Sequence, residues 1–191
     1  MTHAAQPTQD ALTFPFETVP EFEVPVEIAE GILWVRLPLP FSLDHVNIYF
    51  VRDGDGWAVI DTGLKTKDSI AAWERVLRDV LKGDKITRVI ATHAHPDHIG
   101  MAGWLCERFD VPLLTSLSSY ADSRLISQGP NKASSRQYFD FYVSHGMTAE
   151  GAGVVAIRGN EYLQLVHTLP NSYHRLVRAD VLNIGGREFR V

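Results

Sequence analysis

Three histidines and an aspartate, His93, His95, Asp97 and His98, sit in the run Thr92-His-Ala-His-Pro-Asp-His-Ile-Gly100. Imidazole nitrogens and carboxylate oxygens are the usual donors for borderline divalent metals such as zinc. Side chains alternate along an extended chain, so His93 and His95, two apart, project to the same side. Pro96 disfavours helix at the residue before it and keeps His95 extended. Asp97 and His98 are adjacent, point in different directions and can serve a second ion. The chain has eight histidines in all, so this cluster reads as a metal centre rather than a strand end that is rich in histidine by chance. A catalytic zinc usually keeps three protein ligands and one open position for water. Two ions sharing one oxygen would bring that water toward a neutral pKa and ready it to attack a carbonyl. Asp97 would then hold metal, orient the nucleophile and accept its proton. His3, His45, His145, His167 and His174 are scattered and read as surface or hydrogen-bonding residues.

The elements that must position these donors follow an αβ rhythm. The β-branched run Ile86 to Thr92 predicts a strand that delivers the histidine loop. Gly31–Leu37 and Val46–Arg52 also read as strands, and Asp53-Gly-Asp-Gly56 as a tight turn into a strand from Trp57 to Ile60. Ile70, Trp73, Leu77, Val80 and Leu81 keep helical spacing, which predicts a helix from about Thr66 to Lys82 stopped at Gly83. A second helix is expected from Asp97 to Phe109, then a strand over Val111–Thr115. Gly63 and Gly100 mark sharp turns, and backbone freedom explains both. Residues 116–165 break the rhythm with three short helices, a helical insertion that would form a lid or a dimer surface. Its aromatic stripe, Arg136 with Tyr138, Phe139, Phe141 and Tyr142, is expected to pack onto the body of the protein.

With 191 residues, 45% hydrophobic and 21% charged, the chain has the composition of one globular domain, residues 21–191, behind a loose polar arm, 1–20. A formal charge of −5 without a basic cluster argues against nucleic acid as a partner. Cys106 is the single cysteine, so no internal disulfide forms, and it reads as a small core residue. No run approaches the ~20 apolar residues of a membrane span, and the N-terminus lacks a signal-peptide pattern. A cytoplasmic protein without membrane partners is expected.

Thr92-His-Ala-His-Pro-Asp-His98 with Gly100 resembles the His-x-His-x-Asp-His signature of the metallo-β-lactamase superfamily. Trp57-Ala-Val-Ile-Asp-Thr-Gly63 resembles its strand-then-Asp-Thr-Gly motif. Within the superfamily the layout is most similar to the glyoxalase II-like hydrolases. The resemblance implies an α/β fold, the αββα four-layer sandwich, and two zinc ions, with iron or manganese as alternatives. It implies that Asp61 buttresses the metal loop by hydrogen bonding rather than ligating. It also implies hydrolysis of a small ester-like substrate, a thioester first among them. The superfamily adds a later histidine in a Gly-His motif, a bridging aspartate and a last histidine. Val181 to Val191 resembles the strand pair before that motif, and no residue here matches those three ligands. The expectation is therefore a fold incomplete at its C-terminus, each ion keeping two protein ligands, with exposed apolar sheet surface that invites a homodimer. Two other readings stay open: a non-catalytic binding module with vestigial ligands, and a di-iron redox protein of the same fold.

Overall fold

A computed structural model describes residues 15–16, 18–127, 132–157, 162 and 164–191. Most of the proposed arm, residues 1–14 and 17, lies outside these. The described residues form a mixed α/β fold around a seven-stranded sheet. Its strands are β1 (Val26–Ala29), β2 (Ile32–Pro38), β3 (His45–Asp53), β4 (Gly56–Ile60), β5 (Lys85–Ile90), β6 (Leu113–Ser116) and β7 (His174–Leu176), which lie in that order across the sheet. β1 to β4 are antiparallel neighbours, and β4 to β7 run parallel. Parallel neighbours need crossovers. α1 (Ser69–Leu81) joins β4 to β5, and α2 (Pro96–Ile99) with α3 (Ala102–Phe109) joins β5 to β6. Between β6 and β7 come α4 (Leu117–Ile126), α5 (Lys132–Ser144) and α6 (Ala149–Ile157). A hairpin of β8 (Val181–Ile184) and β9 (Arg187–Arg190) ends the chain.

The period of two along each strand sorts the apolar residues onto two faces. Phe50, Trp57, Val59, Val89 and Leu113 face Trp73, Val76 and Leu77 of α1 and Leu105 of α3 in one core. Val51, Ala58, Ile90 and Leu114 face the other way, onto Ile184 of β8. The central strands are thus covered on both sides, as parallel strands usually are. Cys106 is buried within the helical core, and burial pushes its thiol up to about 12. No helix among the described residues is long and apolar enough to cross a membrane.

Several expectations need correction. The helix expected over 97–109 is broken between Ile99 and Ala102, because the backbone there is bonded to other elements. Met101 N donates to Gly63 O and the Thr62 hydroxyl, and Gly100 O accepts from His167 N. Gly63 does need backbone freedom, with φ +76°, but Gly100 does not. A Cβ on Gly100 would collide with the carbonyl oxygens of Gly63 and Pro96 and sit 2.7 Å from that of Leu165. The requirement at Gly100 is space. α1 starts at Ser69, whose hydroxyl turns back to bond Leu64 O and Thr66, and Ile70 is left exposed. Among the described residues the aromatic stripe is only partly covered, with Phe139 and Tyr142 half-buried. α5 packs against α6, and Tyr138 and Phe141 are each 54% exposed. Phe141 instead covers His145, the residue just past the end of α5, at 4.2 Å between rings. β1 is a short, largely exposed edge strand, and it ends a stretch in which Phe22, Val24, Val26 and Ile28 alternate with glutamate and proline.

Candidate metal centre

Because β4 and β5 are parallel, their carboxyl ends open at the same edge of the sheet, where α/β proteins place their sites. Asp61 follows β4, and the loop from Thr92 to His98 follows β5. Asp61 has φ +59°, a left-handed conformation that aspartate tolerates better than most residues. The turn aims its carboxylate across at the β5 loop while its N–H donates to Ile90 O at 2.8 Å. Asp61 is 5% exposed, so this carboxylate depends on protein donors. It accepts from Thr92 N at 2.8 Å and from the Thr92 hydroxyl, and its Oδ2 lies 2.8 Å from His98 Nδ1.

An ionised carboxylate can only accept, so His98 Nδ1 carries a proton, and in the neutral imidazole Nε2 then keeps the lone pair. That is the tautomer a metal-binding imidazole needs. His98 Nε2 stands 3.4 Å from Asp97 Oδ2. The neighbours Asp97 and His98 therefore converge, where alternation along the chain had them diverge. One turn of helix at α2, with Pro96 in its first turn, produces this approach. His95, at φ −63° and ψ 141°, remains extended before it, as the proline requires. His93 Nε2 lies 3.0 Å from His95 Nδ1, and the rings of His93 and His98 are 4.0 Å apart.

Electrostatics separate the histidines. The Asp61 hydrogen bond raises the His98 pKa above its ordinary value, against the effect of burial. Burial lowers that of His93, and the neighbouring His98 and His95 lower it further. His93 thus favours the neutral form that ligates metal. Donor types suit a borderline divalent ion, and the donors stand as two pairs, His93 with His95 and Asp97 with His98. Among the described residues, no group of three or more His, Cys, Asp or Glu side chains is arranged to hold one ion.

Two supporting residues carried no role in the sequence reading. Thr62, fully buried, donates its backbone N–H and hydroxyl to His98 O, and Trp73 Nε1 donates to Thr62 O at 2.9 Å. The Asp-Thr-Gly motif contained that threonine without revealing its duty. Tyr162 donates to Ala94 O at 2.8 Å from 68 residues away, and no motif announces it. Of the scattered histidines, His45 pairs with Asp44 and His145 bonds Phe141 O, while His3 lies outside the described residues.

Comparison with known proteins adds four findings. Residues 42–182 match the family model of the metallo-beta-lactamase superfamily. The chain is 34% identical over 83 residues to a probable metallo-hydrolase, YqjP, of Bacillus subtilis, covering 43% of this chain and 26% of that protein. A beta-lactamase domain protein from Burkholderia ambifaria superposes with a TM-score of 0.76 at 34% identity, over 91% of this chain and 48% of that one. A metallo-beta-lactamase family protein from Thermus thermophilus shares the fold at TM-score 0.66 and 24% identity, over 86% of this chain and 52% of that one. The chain spans about half the length of these solved structures and about a quarter of YqjP.

Proposed function

We propose a function from the premise that the chain belongs to the metallo-β-lactamase superfamily: metal-dependent hydrolysis of a small ester-like substrate, a thioester first. The observation that carries this is the convergence of His93, His95, Asp97 and His98 at one sheet edge, with His98 held by Asp61 in the ligating tautomer. His93 with His95 would hold one divalent ion, and Asp97 with His98 a second; zinc suits these donors, and iron or manganese are the alternatives. Bound there, two such ions supply a water acidic enough to act as a nucleophile near neutral pH. Asp97, whose carboxylate faces His98, would be the group that accepts a proton there. Asp61 and Thr62 hold the loop and do not ligate. Within the superfamily, the glyoxalase II-like branch remains our assignment, and the helices of 116–165 are the candidate specificity element.

Catalytic zinc ordinarily has three protein ligands, and each pair here offers two. We place the remaining donors outside the described residues, in a longer chain or in a partner copy. The same shortfall favours a second reading, a binding module that retains paired donors without turnover. One experiment tests the first reading. Zinc content and thioester turnover are measured on protein prepared without chelator, beside His95→Ala. The wild type should carry zinc, with at most about two ions per chain, and His95→Ala should lose it with its circular dichroism unchanged. A His95→Ala protein that stays metallated and active overturns the assignment of the site. Metal without turnover, even when the missing donors are supplied, favours the binding module.

A further inference from the structure

We infer that Tyr162 is a positioning residue that clamps the histidine loop through the peptide carbonyl between its two leading histidines. The Tyr162 ring is buried, and its oxygen lies 2.8 Å from Ala94 O and 2.7 Å from Ser123 Oγ. A carbonyl only accepts, and a phenol has one proton, so the tyrosine donates to Ala94 and the Ser123 hydroxyl donates to the tyrosine. Ser123 is fully buried in α4, the first helix of the insertion. The relay therefore fastens the loop after β5 to an element that arrives only after β6. Ala94 is the residue between His93 and His95, and the orientation of its peptide sets how the two rings face each other. Asp61 and Thr62 anchor Thr92 and His98 at the two ends of the loop. Tyr162 restrains the middle, where neither reaches.

This inference rests on the proposed metal site for its functional consequence, but the clamp itself has a metal-free signature. The test compares the full chain with Tyr162→Phe and Tyr120→Phe. Tyr120 is a matched control, because its hydroxyl donates to Pro170 O at 2.7 Å, on a different loop. Amide hydrogen exchange over residues 92–98 is read on chelator-treated protein, and cobalt is then titrated while its visible absorption is followed. Tyr162→Phe should speed exchange in the loop and weaken cobalt binding by about tenfold, the low end for losing a supporting hydrogen bond at a metal site. It should also change the shape of the cobalt spectrum, whereas Tyr120→Phe should leave all three as in the wild type. If the wild type takes up no cobalt, the metal reading falls and exchange alone judges the clamp. Loop exchange in Tyr162→Phe equal to that of the wild type, or changed equally by Tyr120→Phe, overturns the inference.

Discussion

At the scale of single residues, Asp61 does the most with one side chain. Its carboxylate satisfies the Thr92 amide and hydroxyl and fixes the His98 tautomer. The hydrogen bond raises the His98 pKa in the folded state above the ordinary 6.5. A raised folded value means stability that is fully present below the unfolded pKa and lost as pH rises through the folded one. Chelator-treated protein should therefore lose urea resistance as pH climbs past 6.5 and through the raised value. Asp61→Asn should flatten that slope and cost about 1–3 kcal/mol, since it leaves buried donors poorly matched. Equal slopes in both proteins would remove the Asp61–His98 pair from the account. Gly100 makes a different demand. Gly100→Ala sets a methyl group against three backbone carbonyls that cannot swing aside. It should lower stability by about 1–3 kcal/mol or more in thermal unfolding, as overpacked sites do. A melting curve like that of the wild type would mean the loop gives way. The histidine cluster was legible from residue types and spacing alone. The reason for Gly100 was not, because a φ angle and a carbonyl from a distant segment are not written in a local pattern.

At the scale of elements, Asp53 joins three parts of the fold. Placed at the end of β3, it lies 2.7 Å from both the Thr87 hydroxyl and the Arg88 guanidinium of β5, and it accepts from Gly185 N at the β8–β9 turn. Burial alone would raise its pKa, and the Thr87, Gly185 and Arg88 contacts together hold it below the ordinary 3.8. A depressed folded value means stability present above the unfolded pKa and lost as pH falls through the folded one. Acid should thus loosen this junction below pH 3.8. Asp53→Ala should cost about 1–3 kcal/mol by leaving its donors unpaired and should remove that acid dependence, both read from urea midpoints. An unchanged midpoint would show the hairpin seated by apolar contact alone. Helix α1 was foreseen from its apolar spacing because Trp73, Leu77, Val80 and Leu81 repeat at a period that local sequence contains. The break between α2 and α3 was not, since the groups that interrupt it, Thr62, Gly63 and His167, come from three other places in the chain.

For the molecule as a whole, the sheet has a helical side and a side covered by one hairpin. Ile60, Ile90, Leu176, Leu182, Ile184 and Phe189 line a groove of about 320 Å³ on the hairpin side. Ile184 is 1% exposed and seats the hairpin on the sheet. Ile184→Ala should cost about 2–5 kcal/mol, as buried Ile-to-Ala changes do, and raise binding of an apolar fluorescent dye. Unchanged dye binding and an unchanged urea midpoint would mean that Ile184 contributes little to seating the hairpin. The α5–α6 pair shows how tertiary structure overrules composition. Aromatic content suggested packing on the body, but α5 finds its partner in α6, and Tyr138 and Phe141 stay exposed. By itself the sequence determined the donor cluster, the strands and helices with clear periods, and the family, because each is encoded by neighbours within a dozen residues or so. Only the tertiary structure decided that Gly100 needs space, and that Thr62 and Tyr162 hold the loop. Those are contacts between segments far apart in the chain, and distance in space follows from packing rather than from spacing.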